Sequence, residues 1–156
     1  MLVWLAMSKC GVSEIFTCPS GLAINQEIYR VECLKRRLIP FIKKYHSQDE
    51  IIFWPDLATS HYAESVCDFM IEENIPFVEK YENPANIPEC RSVERFWAIL
   101  KSKVYEDNWE AKNLKELEKR IRFCLKNIDT NALAKLFNGI PSKLAFIGWH
   151  GVNGRE

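Results

Sequence analysis

The sequence has no long hydrophobic run, and this excludes a helix that crosses a membrane. Such a helix needs roughly 20 consecutive apolar residues, and charged residues interrupt every apolar stretch of this chain before that length. The apolar start, Met1–Met7, has no basic residue before it and no clear cleavage site after it. It therefore predicts a β-strand rather than a signal peptide, and no membrane partner is expected.

Histidine is scarce and paired cysteine spacing is absent, which argues against a zinc site. The chain contains three His and six Cys residues, and no two of its cysteines stand in C-x-x-C spacing. Structural zinc sites need clustered Cys and His ligands. Scattered cysteines of this kind are typical of buried free thiols in a reducing compartment.

The chain also lacks an excess of charge of either sign. Its 21 basic and 21 acidic residues give a formal net charge of zero. A strong overall field that attracts nucleic acid is therefore absent, and any basic surface must come from local clustering. The sequence shows no internal repeat and no low-complexity tract.

What the chain does have is enough apolar surface for one folded domain. Of its 156 residues, 47% are hydrophobic, and five Trp and nine Phe residues can fill a core. The pattern predicts one domain over residues 1–137. Glycines at 148, 151 and 154 interrupt the end of the chain, so residues 138–156 are expected to form a flexible C-terminal tail.

The first elements predicted are an antiparallel hairpin and a long helix. Residues 2–7 and 13–17 form the strands, and the first is apolar almost throughout, so both of its faces should be covered. Asn25 is placed to cap a helix that extends to about residue 44, in which Pro40 should introduce a kink or a break. The buried stripe expected of this helix is Ile28, Val31, Leu34, Leu38 and Ile42.

A strand–helix–strand unit follows, and three more helices complete the chain. Residues 51–54 and 76–78 are the predicted strands, paired in parallel, and Thr59 or Ser60 should cap the helix between them. The later helices begin near residues 92, 114 and 129. The first of these should bury Val93, Trp97, Leu100 and Val104.

Two carboxylates stand out as candidates for chemistry. Asp56 comes directly after the apolar strand and Pro55, and Glu94 lies near the start of a helix. Oxygen ligands of this kind suit Mg²⁺, and two such ions about 4 Å apart can activate a nucleophile and stabilise a leaving oxygen in phosphodiester chemistry. The spacing is also compatible with two ordinary solvated surface charges, in a chain with 21 acidic residues.

The residues around the two carboxylates form recognisable motifs. Residues 56–61 fit the pattern D-x-A-x-x-H, and residues 94–101 fit E-x-x-W-x-x-L-K. With their flanking segments they resemble the catalytic domain of Tc1/mariner transposases, which belong to the DDE superfamily and have an RNase H-like fold. The matched segments are Met1–Gly11, Trp54–Tyr62, Asn86–Lys101 and Lys103–Tyr105 with the basic helix after it.

The resemblance implies roles for these residues. Asp56 matches the second metal-ligand carboxylate, Glu94 the third, and His61 the histidine that follows the second acid. His61 is either adjacent to the site or only a residue that hydrogen-bonds locally at the start of a helix, and Trp97 is implied to be a core residue. The resemblance further implies Mg²⁺ or Mn²⁺ as cofactor, DNA at transposon ends as partner, a homodimer and a nuclear location.

The chain departs from the family pattern at its front. No aspartate precedes Asp49, so the first catalytic Asp of the family has no match, and neither does its helix-turn-helix region. Ser92 replaces a common Pro, and the 37 residues between Asp56 and Glu94 exceed the usual spacing. The expected fold is therefore α/β, an RNase H-like mixed sheet flanked by helices that lacks its first, central strand. An N-terminally truncated domain of this kind should bind cations weakly and be inactive alone.

Two alternatives remain open at the level of sequence. The first is a non-enzymatic nucleic-acid-binding or protein-interaction module derived from a transposase, suggested by the basic helix Lys112–Lys126 with Trp109 and Phe123 nearby; its acidic residues are also compatible with an ordinary solvated face. The second is an active RNase H-like nuclease that recruits its third acid elsewhere, for instance Glu14 or Asp49.

Overall fold

The computed structural model describes residues 1–19, 21–83 and 91–150, with the side chains described as far as residue 145. The chain divides into two compact units. Unit 1 comprises Met1–Ala6 and Val12–Ala85, and unit 2 comprises Met7–Gly11 and Asn86–Glu156. Along the described part of the chain, no helix is both long enough and apolar enough to cross a bilayer.

The predicted hairpin is confirmed, but it is built from two short ladders. Leu2–Trp4 and Phe16–Cys18 pair antiparallel with Val3 opposite Thr17, and the inner strands form a second two-stranded sheet. Ser13 separates the ladders, because its Oγ accepts the N–H of Ala6 at 2.9 Å while its own N–H donates to the Ala6 carbonyl at 2.8 Å. The strands β1 to β4 are Leu2–Trp4, Met7–Ser8, Gly11–Val12 and Phe16–Cys18.

The expectation that both faces of β1 are covered is wrong for the described residues. Leu2 is 49% exposed and Trp4 is half-buried, and within the described chain β1 pairs with β4 alone. The apolar run reaches full burial only after the strand ends, at Leu5 and Ala6.

A continuous helical segment follows, as predicted, but half of it is a π-helix. It consists of α1 (Gln26–Ile28), a π-helical segment (Tyr29–Leu38) and α2 (Ile39–Tyr45). The Asn25 side chain accepts the Ile28 N–H at 2.9 Å and caps the first turn. The change to α-helical hydrogen bonding occurs at Ile39, immediately before Pro40.

The π-helix changes part of the buried face predicted for this segment: Leu34 and Leu38 are buried as predicted, and Tyr29 and Cys33 join them. Five-residue hydrogen bonding brings residues five apart onto one side, and the fully buried pairs Tyr29 with Leu34 and Cys33 with Leu38 have that spacing. Ile28, Val31 and Ile42, predicted from a period of 3.6, are only half-buried. Phe41 in α2 extends the same core.

The parallel crossover is confirmed in a minimal form. Phe53 forms an isolated parallel bridge with Phe77: its N–H donates to the Pro76 carbonyl at 2.8 Å, and its carbonyl accepts the Val78 N–H at 2.9 Å. The connection contains a 3₁₀ turn (Thr59–Tyr62) and α3 (Glu64–Glu72). The N-cap of α3 is Ala63. Thr59 and Ser60, the predicted caps, belong instead to the 3₁₀ turn that precedes the helix. The chain reverses at Asn74 with a φ of 54°.

Unit 2 contains the helices predicted for the second half of the chain. Asn113 and Asp129 cap the helices that begin at Leu114 and Thr130 by accepting the N–H groups of Glu116 and Asn131, each at 2.9 Å. A 3₁₀ turn, Glu106–Asn108, follows the helix that ends at Val104. The helices are α4 (Ser92–Val104), α5 (Leu114–Lys126), α6 (Thr130–Phe137) and α7 (Ile140–His150).

The core of α4 is centred on Phe96, which corrects the predicted stripe. Phe96 is 1% exposed, whereas Trp97 is half-buried and meets the Phe96 ring edge-on at a centroid distance of 5.8 Å. Leu100 and Val104 are buried, as predicted. The buried Ser92 hydroxyl donates to the Leu136 carbonyl at 2.8 Å, which ties α4 to α6.

The predicted C-terminal tail contains a helix. Residues 140–150 form α7, although glycine at 148 suggested a flexible segment. Apolar residues at 140, 144 and 147 still support helical spacing there. Residues 151–156 lie outside the described chain, and the domain limits of 1–137 and 138–156 stay a prediction.

Candidate functional site

Asp56 is presented just beyond the bridged segment, where the sequence predicts it. Its Oδ1 accepts the N–H of Ala58 at 2.9 Å, which closes a local turn. The Asp56 side chain is 60% exposed. A carboxylate held by its own loop and open to water is suited to bind a hard cation.

His61 lies against Asp56 and is at the same time a core residue. Its Nδ1 is 2.7 Å from Oδ1 of Asp56, an ion-pair distance, although the direction of the ring nitrogen does not satisfy a hydrogen-bond angle. His61 is 6% exposed, and its backbone N–H donates to the Ala58 carbonyl at 2.9 Å. The structure therefore brings Asp56 and His61 together, while a chemical role for His61 stays a prediction.

Tyr29 completes this cluster from the helical segment, and sequence reasoning missed it. Its ring stacks on His61 with centroids 3.8 Å apart and an interplanar angle of 19°. Burial raises the pKa of Tyr29 well above its usual value of 10.0, and neighbouring Cys33 and Asp56 act in the same direction. The Trp4 indole lowers the pKa of Tyr29 slightly. The Tyr29 hydroxyl makes no hydrogen bond of good geometry to any described residue.

Asn83 anchors the two ends of this loop, and sequence reasoning also missed it. It is 5% exposed, and its Oδ1 accepts the Trp54 indole N–H at 2.9 Å. Its Nδ2 donates to the Pro55 carbonyl at 2.9 Å and to the Tyr62 hydroxyl at 2.6 Å. The Asn-Pro dipeptide at 83–84 is a sequence signal for a turn, but it does not indicate partners almost thirty positions away.

Glu94, the other predicted ligand, lies in unit 2. It occupies the first turn of α4 and is exposed, and its N–H donates to the Arg91 carbonyl at 3.1 Å. Its convergence with Asp56 stays a prediction. Among the residues that the structure describes, no three His, Cys, Asp or Glu side chains form a group that could hold a metal ion. Residues 86–90, the first part of the matched third segment, lie outside the described residues.

Comparison with solved structures identifies the fold. The catalytic domain of Mos1 mariner transposase matches with a TM-score of 0.78 at 16% sequence identity, over 99% of this chain and 75% of that one. The chain has the fold of a mariner transposase catalytic domain. The resemblance predicted from the motifs is thus confirmed at the level of the fold, as is the RNase H-like α/β class.

Further Mos1 transposase structures match equally well. The catalytic domain with raltegravir and Mg matches with a TM-score of 0.80 at 16% identity, over 99% of this chain and 76% of that one. The paired-end complex with the left transposon end matches with a TM-score of 0.79 at 15% identity, over 99% of this chain but only 44% of that one. No protein-family model and no curated protein sequence matches the chain.

In this mariner-type fold, α5 carries the basic face predicted from the sequence. Three lysines of α5 and one that lies just before the helix are exposed, and Phe123 is 59% exposed. Two of the arginines are engaged within the protein: Arg120 donates to the Val104 carbonyl at 3.2 Å and stacks over Trp109 at 5.4 Å, and Arg122 pairs with Glu118 at 2.8 Å. The exposed lysines, here called the α5 basic face, are Lys112, Lys115, Lys119 and Lys126.

Proposed function

We propose that this chain is the C-terminal part of a DDE transposase catalytic domain, in which Asp56 and Glu94 are two of the carboxylates that hold a divalent cation. The observation that carries the proposal is the local position of Asp56, in a chain whose fold matches that of the mariner transposase catalytic domain. The carboxylate is exposed at the end of a parallel-bridged segment, with the motif histidine beside it. DNA is the proposed substrate, since two of the matched structures are Mos1 paired-end complexes.

The donor chemistry of Asp56 fits Mg²⁺ or Mn²⁺, but the donor set is small. Carboxylate oxygens are the preferred ligands of these ions, and Asp56 offers an exposed carboxylate. Within the described residues, no three His, Cys, Asp or Glu side chains form a group that could hold a metal ion. When bound, the cation would activate a nucleophile and stabilise the leaving oxygen of a phosphodiester. With so few donors, we propose that this chain alone binds the cation weakly.

The third-acid candidates do not change this proposal. Asp49 pairs with Nδ1 of the buried His46 at 2.8 Å. That contact uses the Asp49 carboxylate for a structural role at the end of α2. Glu14 lies in the hairpin between β3 and β4. Neither residue forms a described metal-binding group with Asp56.

Metal binding and cleavage assays test the proposal together. We expect Mn²⁺ to broaden the NMR signals of residues next to Asp56 at millimolar concentrations, and Asp56→Asn to abolish this broadening, because it removes the charge at constant shape. Asp68→Asn, an exposed change on α3 of the same unit, is the matched control. With Mg²⁺ or Mn²⁺ we expect no DNA cleavage by this chain alone.

Two results would contradict this proposal at different points. Clear cleavage that Asp56→Ala abolishes would overturn the inactivity of the chain and favour an active nuclease. Broadening that is equal in the wild type and Asp56→Asn would remove Asp56 from the cation site altogether. The homodimer and the nuclear location, which the resemblance implies, are proposals that light scattering and microscopy of a tagged chain test.

The α5 basic face favours a second candidate function, a non-enzymatic nucleic-acid-binding module. Its lysines and the exposed Phe123 ring combine charge with a surface on which bases can stack. In that case DNA affinity should fall steeply as salt rises, because bound lysines release counterions from the phosphates.

A double variant tests the second candidate. Lys115→Gln with Lys119→Gln should reduce the slope of log affinity against log salt by about 1–2. The same change at Lys43 and Lys44 of α2, in unit 1, is the control. A DNA affinity that does not respond to salt, or equal slopes for both double variants, would eliminate the α5 basic face as a binding surface.

A further inference from the structure

The loop that presents Asp56 is held at both ends by one buried side chain. The Pro55 carbonyl that accepts from Asn83 belongs to the same peptide unit as the Asp56 N–H, so this bond sets the direction in which the chain enters Asp56. The Tyr62 hydroxyl that accepts from Asn83 belongs to the residue directly after His61. The Asn83 amide therefore bonds the residue directly before the segment 56–61 and the residue directly after it.

The orientation of the Asn83 amide is determined by its partners. The Trp54 indole N–H can only donate and the Pro55 carbonyl can only accept, so the amide oxygen must face Trp54 and the nitrogen must face Pro55. Both amide protons are used, since the second bonds Tyr62, whose hydroxyl in turn donates to the Val78 carbonyl at 3.0 Å. No residue other than asparagine supplies one acceptor and two donors at this reach.

The network also connects the loop to the parallel bridge. Val78, which accepts from the Tyr62 hydroxyl, donates its N–H to the Phe53 carbonyl. Asn83 is thus linked to the bridged segment before Asp56, to the bridged segment after α3 and to the residue after His61. A polar network that is buried and fully bonded holds a unique geometry, whereas loss of one member leaves its partners unpaired.

We propose that Asn83 is a positioning residue for Asp56, which keeps the carboxylate in contact with His61 and oriented for a divalent cation. The role in cation binding rests on the proposed cation site. The contact between the Asp56 carboxylate and His61, by contrast, can be measured in metal-free protein. Asn83 acts through the Pro55 peptide and through Tyr62.

The test compares Asn83→Ala with a variant that is destabilised elsewhere in the same core. Val66→Ala removes two methyl groups from a fully buried site of α3 and serves as the control for general loss of stability. Tyr62→Phe keeps the ring and removes one partner of the amide, and it remains informative if Asn83→Ala does not fold. The readouts are the His61 ring signals at fixed pH in metal-free protein and the midpoint of Mn²⁺ broadening near Asp56.

We expect Asn83→Ala to move the His61 ring signals toward those of Asp56→Asn and to weaken Mn²⁺ binding roughly tenfold, as loss of a supporting partner does in other metal sites. Tyr62→Phe should shift both readouts in the same direction by less, and Val66→Ala should leave both unchanged. His61 signals that match the wild type in folded Asn83→Ala and in Tyr62→Phe would overturn the inference. If Mn²⁺ does not bind wild type near Asp56, the proposed cation site is wrong, and the His61 signals still decide the role of Asn83.

Discussion

Replacement of Phe96 by alanine should lower the free energy of unfolding by about 3–5 kcal/mol, the range for removing a buried aromatic ring. Phe96 is 1% exposed in the core of unit 2 and is the largest fully buried side chain of α4. The loss combines the transfer free energy of the ring with the cavity it leaves. Since small proteins are stable by only about 5–15 kcal/mol, this loss is a large fraction of the total free energy of unfolding. Urea denaturation followed by far-UV circular dichroism measures the change.

Trp97→Ala is the matched control, on the adjacent residue of the same helix. Trp97 is half-buried, so its truncation removes less surface from the protein interior and should cost less than half as much. The pair of variants tests two statements against each other: the structure has Phe96 as the core residue of α4, whereas the family resemblance implied Trp97. A larger loss for Trp97→Ala than for Phe96→Ala would show that the core of α4 is centred on Trp97.

Unit 1 should lose about 2–3 kcal/mol of stability between pH 9 and pH 11 because of Cys33. Burial raises the pKa of the Cys33 thiol from 9.0 to about 12, with Glu32 and Cys18 adding to the shift and Arg37 opposing it. In the unfolded chain the thiol releases its proton near pH 9, whereas in the folded protein it keeps the proton until about pH 12. Within this window the folded state binds more protons, so each pH unit costs about 1.4 kcal/mol.

Denaturation midpoints at pH 8, 9, 10 and 11, in the presence of reductant, measure this slope. Cys33→Ala should start from a lower stability because a buried atom is lost, but its stability should decline less steeply above pH 9. Cys67 adds a smaller decline of the same sign, since partial burial also raises its pKa. Above pH 10 the raised pKa of Tyr29 adds a further loss, which Tyr29→Phe should remove. Parallel pH profiles for wild type and Cys33→Ala would contradict the assigned cause.

The parts of the fold that could be predicted from the sequence are those determined by local chemistry. Asn113 and Asp129 are side chains that bond the first free N–H groups of a helix, so α5 and α6 begin where these residues stand. Asn74 tolerates the positive φ that ends the turn after α3. Pro55 follows the bridged segment at Phe53 and leaves Asp56 just beyond it. Each of these signals acts within four residues of its effect.

The parts that could not be predicted depend on distant partners or on a helical period that the pattern does not reveal. The π-helical segment moves Tyr29 and Cys33 into the core, and a search at a period of 3.6 selects their neighbours instead. The choice between Phe96 and Trp97 depends on which face of α4 the other helices of unit 2 cover. The Asn83 bonds reach Trp54 and Tyr62, at separations of 29 and 21 residues. No local pattern encodes a contact at that distance.

The turn at Asp56 determines which amino acids position 58 can accept. The donor that Ala58 offers to the Asp56 carboxylate is a main-chain N–H, so every amino acid except proline preserves it. Position 58 can therefore accept any of the eighteen other residues that keep a main-chain N–H, without loss of the bond that orients the acid. Mutational tolerance at this point of the loop should be broad, with proline as its single forbidden substitution.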